Sequence, residues 1–288
     1  MNNINTFSVI GGDSRLIYAA EYLQKLGSDV SLFANEHGRI PEGISTCKSL
    51  SEALESDVII LPLPLSKNSK YLNSPLSSQI ITLKELTDSV TEKNIIFLGM
   101  GSPSVTKQLS AKALSVYDYF TIETLTYKNA LLTAEGLLGI ILEKLPVSVN
   151  GMKIGVAGYG RIGALLCDML NKLGADVTVF ARNEVQRLKA ELTGCKAEHT
   201  DNIRKRISDF ACIVNTVPCS LIDDSIISAS SKDCVFIEAA SAPYGIDAEG
   251  CIKNNRALIK AFSLPGKTAP VTAGRIIGET VINCLKEV

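Results

Sequence analysis

Short apolar segments alternate along the chain with longer segments in which apolar residues recur every three or four positions. The recurrence is typical of helices that bury one face, and the short continuous runs are typical of strands. The clearest runs are residues 7–10, 30–33, 154–157 and 177–180. Strands that are apolar at every position belong to parallel sheets covered by helices on both faces. The pattern therefore predicts an α/β fold with doubly wound parallel sheets.

The strand–helix–strand pattern occurs twice. Residues 9–34 and 156–181 align without a gap and are identical at ten of 26 positions. In both copies a glycine follows the first strand and a Lys-Leu-Gly sequence closes the helix. Gly27 and Gly174 are expected in the left-handed conformation that ends many helices. The repeat predicts two Rossmann-like domains in tandem.

These elements predict four segments. They are an N-terminal domain at residues 1–120, a bridging helix within 121–148, a second domain at 149–268 and a C-terminal helix at 269–288. The last helix is expected to pack back on the first domain. The bridging helix is expected to present one apolar face, formed by Leu131, Ala134, Leu138, Ile141 and Leu145.

A glycine-rich loop in the second copy fits a dinucleotide. Gly158, Gly160 and Gly163 form the pattern G-x-G-x-x-G directly after a strand and at the start of a helix. The first glycine allows a tight turn, the second lets the backbone approach a pyrophosphate, and the third lets the helix pack on the strand. The predicted binding loop also contains Tyr159, Arg161 and Ile162. The alternative is a glycine turn with a structural role only.

The first copy has lost this pattern, because Asp13 replaces the second glycine and Leu16 replaces the third. A carboxylate at this helix N-terminus would repel a pyrophosphate while capping the helix well. The first domain is therefore predicted to bind no dinucleotide. We expect it to act as a substrate domain or lid, with catalysis in a cleft between the domains.

The choice of cofactor depends on the end of the second strand, where NAD-binding domains usually carry Asp or Glu. Here the sequence is Ala181-Arg182-Asn183, without an acid. A guanidinium can bind the 2′-phosphate of NADP through two hydrogen bonds. We therefore predict NADP as the cofactor. The alternative is that Arg182 is a solvated surface charge.

Two later segments are expected beside the nicotinamide ring, because ligands of open α/β sheets bind beyond the carboxyl ends of the strands. Ordinary loops rich in Pro and Gly are the alternative. Lys267, before the last helix, is a candidate for the cleft, although a surface lysine is the simpler interpretation. The two segments contain Asn215, Thr216, Val217 and Pro218, and then Ala240 and Ser241.

Composition excludes several classes of partner. The chain of 288 residues has 29 basic and 30 acidic residues and no block of like charge, which argues against nucleic acid or an anionic membrane. Residues 1–7 lack the pattern of a signal peptide and no segment is long and apolar enough to span a bilayer, so the cytoplasm is expected. The eight cysteines lack metal-ligand spacing, so reduced thiols and no metal site are expected.

The chain resembles two groups of proteins. The segment around Gly158 resembles the NAD(P) domains of S-adenosylhomocysteine hydrolase and D-2-hydroxyacid dehydrogenases. The whole chain is more similar to the family of dipicolinate synthase A subunits, over residues 11–274. One departure is residues 242–245, where a more glycine-rich turn is expected. The matching segments are residues 11–15, 117–120, 129–130, 133–136, 215–218 and 264–270.

The resemblance implies an activity. It implies NADP-dependent oxidation of dihydrodipicolinate, or of a hydroxytetrahydrodipicolinate precursor, to dipicolinate during sporulation, in the mother cell of a spore-forming bacterium. It also implies the flavoprotein-like B subunit of dipicolinate synthase as partner, and a homo-oligomer is possible. The candidate substrate-binding residues are Asp13, Arg15 and Thr133, and the candidate catalytic residues are Asp13, Arg15, Glu135, Ser241 and Lys267.

Arg15 is the most specific of these candidates. It opens the first helix after Gly11-Gly12-Asp13-Ser14, at the carboxyl edge of the predicted sheet. Helix amides and a guanidinium there would form an anion site for a substrate carboxylate. The alternative is that Arg15 merely pairs with Asp13 on the surface.

Two other functions remain open. The chain could be a different NADP-dependent reductase of small acids with the same two-domain plan. It could also be a noncatalytic NADP-binding regulatory subunit whose partner performs the chemistry. Turnover by the isolated chain separates these alternatives.

Overall fold

Two parallel six-stranded sheets form the framework of the protein, whose computed structural model describes residues 6–287. In the first sheet the strand order is β3-β2-β1-β4-β5-β6, and in the second it is β9-β8-β7-β10-β11-β12. Both sheets therefore have the 3-2-1-4-5-6 order of a Rossmann fold. The predicted fold class, two tandem Rossmann-like domains, is confirmed.

The strands are short and nearly all apolar. They are β1 (Thr6–Ile10), β2 (Asp29–Phe33), β3 (Ser45–Thr46), β4 (Val58–Ile60), β5 (Ile95–Leu98), β6 (Ser115–Asp118), β7 (Lys153–Ala157), β8 (Asp176–Phe180), β9 (Lys196–Glu198), β10 (Cys212–Asn215), β11 (Val235–Glu238) and β12 (Ala257–Lys260).

Helices connect the strands. They are α1 (Ser14–Lys25), α2 (Leu50–Ala53), α3 (Leu83–Ser89), α4 (Pro103–Ser110), α5 (Glu123–Lys144), α6 (Arg161–Lys172), α7 (Glu184–Leu192), α8 (Ile203–Arg206), α9 (Asp224–Ser228), α10 (Ala248–Lys253), α11 (Leu264–Thr268) and α12 (Pro270–Lys286). Gly27 and Gly174 follow α1 and α6 with φ of +90° and +80°. Both therefore have the left-handed conformation expected after a helix.

The described chain divides into two compact units. The first contains residues 6–129 and 266–287, and the second contains Ala130–Pro265. The division falls inside α5, the helix predicted to bridge the two domains. Its beginning, before Ala130, belongs to the first unit, and the remainder is part of the core of the second.

The buried face of α5 differs in part from the predicted one. Ala134, Ile141 and Leu145 are buried as expected, but Leu131 is 37% exposed and Leu138 is only partly buried. Leu137, which the prediction left out, is fully buried. Ala134, Leu137, Ile141 and Leu145 all belong to the core of the second unit, at steps of three, four and four residues. The buried face is therefore rotated slightly around the helix axis from the predicted one.

Two glycines bring α12 against α1 within the first unit. A Cβ at Gly274 would overlap with the Arg15 carbonyl oxygen and come within 2.6 Å of Tyr18 Cβ, and one at Gly278 would come within 2.6 Å of Tyr22 Cδ1. The backbones of the two helices therefore touch at positions where no side chain fits. The beginning of α1, which carries Asp13 and Arg15, is positioned by this contact.

We expect Gly274→Ala to destabilise the protein by about 1–3 kcal/mol, because the added methyl group must push the two helices apart. Gly139→Ala is the matched control: Gly139 also lies within a helix, α5, but a Cβ there meets nothing within 4 Å. This variant should gain up to about 1 kcal/mol from helix propensity. Urea unfolding of both variants measures the difference, and equal stabilities would contradict the close helix contact.

Candidate functional site

Each glycine of the loop after β7 has a distinct steric environment. Gly158 has φ of +93°, and a Cβ there would come within 2.7 Å of Val217 Cγ2. A Cβ at Gly163 would overlap with the Gly158 carbonyl oxygen. A Cβ at Gly160 would meet nothing within 4 Å, so this position is open to solvent. The loop thus has the tight turn, the open middle and the close helix packing that a pyrophosphate site needs.

The N-terminus of α6 has the features of an anion site. Gly160 is the N-cap residue and supplies no side-chain hydrogen bond to the helix amides. The first amides of a helix have no partner within the helix, and the helix dipole favours negative charge beside them. A bound phosphate satisfies both requirements. Ile162 packs into the core of this unit, while Arg161 is exposed.

The loop after β10 is tied to the glycine turn. Thr216 donates hydrogen bonds from both its backbone nitrogen and its Oγ1 to the Ala157 carbonyl oxygen, at 2.9 and 2.8 Å. Val217 is half-buried against Gly158, and Pro218 is exposed. The predicted residues after β10 and those of the glycine turn therefore lie together at the carboxyl edge of this sheet.

The tip of β8 is held by an arginine that the sequence analysis did not select. Arg187 Nη1 donates to the carbonyl oxygens of Ala181 and Arg182, at 2.8 and 2.7 Å. Asn183 caps α7 by accepting from Gln186 N at 3.1 Å. Arg182 itself is exposed. Two guanidinium groups thus belong to this tip, and the signal for the second was its position one helical turn beyond Asn183.

Glu238, at the end of β11, is a second residue that the sequence did not reveal. Its side chain is 2% exposed and accepts a hydrogen bond from Asn215 Nδ2 at 2.8 Å. It also accepts from the backbone of the following loop, including Ala240 N at 2.9 Å. Ala240 is buried and Ser241 is exposed. The carboxylate thus joins the two loops predicted to border a nicotinamide.

Aromatic side chains flank these loops. The Tyr159 hydroxyl group lies 2.7 Å from Thr193 Oγ1, and burial raises the pKa of this phenol while the Thr193 contact lowers it. Tyr244 stacks on Phe262 with ring centroids 5.0 Å apart, and it is 49% exposed. Tyr244 lies in the segment that departs from the expected glycine-rich turn.

In the first unit the corresponding helix N-terminus is already satisfied. Asp13 is the N-cap residue of α1 and accepts from Arg15 N at 3.1 Å. Gly11 repeats the turn of the second copy, with φ of +66° and a hydrogen bond from its nitrogen to Phe33 O. The glycine turn has therefore been kept in both copies, but the open helix N-terminus has been kept only in the second.

Residues 72–78, which we call the covering segment, lie over the turn of the first unit. Gly12 N donates to Asn73 O at 2.8 Å, so this amide is not available to a phosphate. A Cβ at Gly11 would come within 3.2 Å of both Leu72 and Ser74. The sequence did not reveal this segment, because the group that takes the Gly12 amide is a backbone carbonyl oxygen, which every residue carries.

The covering segment also binds the acid after β2. Ser77 Oγ and Ser78 N donate to Glu36 Oε1 at 2.8 and 2.9 Å. Slight burial raises the pKa of Glu36, but the hydrogen bonds to the ionised form outweigh it and bring the pKa to about 2. One oxygen of the Glu36 carboxylate is therefore engaged by the covering segment. That the first domain binds no dinucleotide stays a prediction, which the titration below tests.

Arg15 lies at the carboxyl edge of the first sheet, as expected. Its contacts differ from both alternatives, a guanidinium free to bind substrate and a solvent-exposed pair with Asp13. It is 7% exposed, and its Nε and Nη2 donate to the two oxygens of Asp13 at 2.9 and 2.8 Å. Nη2 also donates to Leu63 O, after β4. A Cβ at Gly266 would come within 3.1 Å of Arg15 Nε. The ion pair between Arg15 and Asp13 therefore exists, but the arginine is buried. The two guanidinium nitrogens Nε and Nη2, which could have bound a substrate carboxylate, are held by Asp13 instead.

The other candidates are distributed over both units. Lys267 is exposed and directly follows Gly266, whose backbone lies against the Asp13–Arg15 pair. Thr133 and Glu135 lie on α5 within the second unit, where Thr133 is 8% exposed and Glu135 is exposed. Asp118 lies in residues 117–120, one of the segments that carry the family resemblance. Its side chain accepts hydrogen bonds from the backbone nitrogens of residues 100 and 101, at 3.1 and 3.0 Å, and so connects the loop after β5 to the end of β6.

The cysteines, the possible metal ligands and the helix lengths were the remaining features that the sequence raised. All eight cysteines lie within residues 6–287 and are free thiols, and five of them are buried. In this part of the chain no cluster of three or more His, Cys, Asp or Glu side chains is arranged to hold a metal ion. Over the same residues, no helix has the length and apolar character needed to cross a membrane.

Comparison with known proteins assigns each unit to a domain type. Residues 6–120 match the N-terminal domain of the dipicolinate synthase A subunit, and residues 142–262 match the NAD-binding domain of D-isomer specific 2-hydroxyacid dehydrogenases. The chain is 24% identical to the A subunit of dipicolinate synthase from Bacillus subtilis (strain 168) over 286 residues, which is 98% of this chain and 96% of that protein.

Solved structures show the same fold. The crystal structure of the dipicolinate synthase A subunit from Bacillus halodurans superposes with a TM-score of 0.86 at 20% identity, covering 99% of both chains. The corresponding chain of dipicolinate synthase from Bacillus subtilis gives a TM-score of 0.83 at 23% identity, covering 100% of this chain and 97% of that one. The resemblance seen in the sequence is confirmed, and the second unit is of the type that binds a nicotinamide cofactor.

We expect Gly160→Asp to abolish dinucleotide binding without unfolding the protein. The position is open, its φ of −81° suits any residue, and the aspartate would cap α6 as Asp13 caps α1. The carboxylate would repel a pyrophosphate while adding only about a few tenths of a kcal/mol of stability as a cap, because glycine is itself tolerated at this position.

Isothermal titration should give one dinucleotide per wild-type chain and none for the variant, and thermal unfolding should show no loss of stability. A stoichiometry of two would contradict a first unit closed by the covering segment. Retained binding in Gly160→Asp would contradict the assignment of the pyrophosphate site.

Proposed function

We propose that this chain, whose N-terminal domain belongs to the family of dipicolinate synthase A subunits, is the NADP-dependent oxidoreductase subunit of a dipicolinate synthase. It would oxidise dihydrodipicolinate, or a hydroxytetrahydrodipicolinate precursor, to dipicolinate during sporulation. For the dihydro substrate, one hydride passes to NADP⁺ and one ring proton passes to solvent. The products are then dipicolinate, NADPH and H⁺.

The proposal is supported above all by the difference between the two units at the N-terminus of their first helix. The second unit keeps the open, uncapped N-terminus of α6 beside a glycine turn, whereas the first unit fills the same place with Asp13 and the covering segment. One unit is therefore suited to a dinucleotide and the other is left for a different task. A first domain of the dipicolinate synthase type and a second of the dehydrogenase type fit that division.

The proposed activity is tested by incubating the purified chain with dihydrodipicolinate and NADP⁺ without oxygen. We expect NADPH and dipicolinate to form in equal amounts, and neither to form with Gly160→Asp. Dinucleotide binding without turnover would favour a noncatalytic regulatory subunit. Turnover with other small acids alone would favour a reductase of different specificity.

NADP is the proposed cofactor because two arginines lie at the tip of β8. Arg182 is exposed, and Arg187 uses Nη1 to hold the tip while Nε and Nη2 make no hydrogen bond to residues 6–287. A 2′-phosphate carries close to two negative charges and prefers bidentate guanidinium partners. No acid is present between the end of β8 and Asn183 to accept from a ribose 2′-hydroxyl.

We expect Arg182→Ala to weaken NADP⁺ binding by about ten- to a hundredfold and to leave NAD⁺ binding nearly unchanged, because a charge-assisted hydrogen bond is worth about 1.5–3 kcal/mol. Lys189→Ala is the matched control, since Lys189 is an exposed cation on α7. Dissociation constants for both dinucleotides measure the effect. An unchanged NADP⁺ constant in Arg182→Ala would make the cofactor assignment wrong.

The substrate is proposed to bind at the first unit through Arg15. The substrate is a dianion, so its site needs cationic groups or backbone N–H donors. Arg15 supplies a buried guanidinium whose Nη1 makes no hydrogen bond to the described part of the chain, and Lys267 lies next to it. Asp13 holds the guanidinium in place. Thr133, Glu135 and Ser241 remain candidates for the same site.

We expect Arg15→Lys to raise the Michaelis constant for the dicarboxylate by about ten- to a hundredfold while the NADP⁺ dissociation constant stays unchanged, because lysine keeps the charge and loses the planar fork. Arg39→Lys, at an exposed arginine of the same unit, is the matched control. If Arg15 serves only as the partner of Asp13, Arg15→Lys and Arg15→Ala will lower stability and leave the Michaelis constant unchanged.

A second polypeptide is part of the proposal. The Bacillus subtilis relative is the A subunit of a dipicolinate synthase, so an enzyme of this type has at least one further subunit. We propose a flavoprotein-like B subunit as the partner of this chain. Comparing turnover by the isolated chain with turnover in the presence of that partner tests whether the partner is needed.

A further inference from the structure

Glu238 carries a negative charge inside the second unit. Its side chain is 2% exposed, and each carboxylate oxygen accepts two hydrogen bonds. Asn215 Nδ2 and Ala240 N donate to Oε1 at 2.8 and 2.9 Å. Gly245 N and Ile246 N donate to Oε2 at 2.8 and 2.9 Å. All four partners are N–H donors, so the ionised carboxylate, which only accepts, is the form that satisfies them.

Glu238 forms no ion pair with the described residues, although Lys260 lies opposite it in register on β12. Within residues 6–287, none of the ion pairs involves Glu238, and its four partners are neutral dipoles. Burying an ionised carboxylate is costly unless it is well hydrogen-bonded or paired with a cation. The hydrogen bonds supply the first requirement. A negative potential remains at the carboxyl edge of the sheet, where a positively charged ligand group would be stabilised.

The same carboxylate determines the shape of two loops. Asn215 and Glu238 are the last residues of β10 and β11 and lie opposite each other in the sheet. Asn215 also binds its own loop, donating to Val217 O at 3.0 Å and accepting from Val217 N at 3.1 Å. Gly245 packs so closely that a Cβ would come within 2.9 Å of Asn215 Cγ. Glu238 thus connects the loop after β10 to residues 240–246.

We propose that Glu238 is a positioning residue for the nicotinamide ring and that its charge favours the oxidised cofactor over the reduced one. The inference rests on the proposed function. Ligands of this fold bind beyond the carboxyl ends of the strands, with the pyrophosphate at the first helix and the nicotinamide half towards the strands after the crossover. Those strands are β10 and β11. The two loops that Glu238 holds therefore lie beside the ring.

The charge distinguishes the two redox states of the cofactor. The oxidised nicotinamide ring carries a positive charge and the reduced ring is neutral, so a nearby carboxylate stabilises only the former. A protein shifts an equilibrium only by its differential affinity for the two states. Acting over roughly 10–15 Å at an effective dielectric constant of about 20, a unit charge corresponds to about a six- to twentyfold difference in affinity.

The test is the ratio of the dissociation constants for NADP⁺ and NADPH. We expect the wild-type chain to bind NADP⁺ at least as tightly as NADPH. Glu238→Gln should lower the affinity for NADP⁺ by about six- to twentyfold more than the affinity for NADPH. A merely structural role would weaken both forms equally and leave the ratio unchanged, which would overturn the proposal.

Two further variants separate charge from geometry. The double variant Glu238→Gln/Asn215→Asp exchanges the acid and the amide and keeps one negative charge in the cluster, so the wild-type ratio should return. Glu249→Gln removes a charge from an exposed position on α10 and should not change the ratio. Failure of the double variant to restore the ratio would contradict a role for the charge.

The outcome remains decisive if the variants do not fold, which circular dichroism reveals. In that case the wild-type ratio alone decides, and a preference for NADPH of tenfold or more would overturn the proposal. If the chain binds NAD⁺ instead of NADP⁺, the cofactor assignment fails, and the ratio for NAD⁺ and NADH tests Glu238 in the same way. If neither dinucleotide binds, the proposed function and this inference fail together.

Discussion

The N-terminus of α6, which has no side-chain cap, is the feature on which the proposed chemistry depends. A parallel sheet places the carboxyl ends of all its strands along one edge, and the helix after the first strand begins at that edge. Gly160 has no side chain with which to cap α6, and its open surroundings leave room for a ligand at this end of the helix. An oxidoreductase that uses a dinucleotide needs such a surface before any other residue can contribute.

Comparison of the two units shows how one fold supports two tasks. Both units have the same strand order. In both, the glycine after the first strand donates a backbone hydrogen bond to the last residue of the second strand. The difference lies in a few polar groups. In the first unit Asp13 caps the helix and the covering segment takes the Gly12 amide and the Glu36 carboxylate. The two units therefore differ at the carboxyl edge in a few polar groups while they share the same strand order.

The sequence predicted the parts of the structure that depend on residue type and spacing. Strands apolar at every position, and glycines at 158, 160 and 163, can be recognised in a single sequence because each has a direct steric reason. The covering segment could not be predicted, since it contacts Gly12 through the Asn73 carbonyl oxygen, which every residue carries. Likewise, the sequence alone does not distinguish Glu238 from an ordinary polar residue at the end of a strand. Its burial follows from four donors that only the folded chain brings together.

The charges along the second carboxyl edge match the charges of the proposed ligand. Arg182 and Arg187 lie at the tip of β8, on the side expected to receive the phosphorylated ribose. The helix dipole of α6 lies in the middle, where the pyrophosphate is expected. Glu238 lies at the end of β11, on the side expected to receive a cationic ring. A dinucleotide bound in the opposite direction would place its phosphates near Glu238 and its ring near two guanidinium groups, so the distribution of charge favours one orientation.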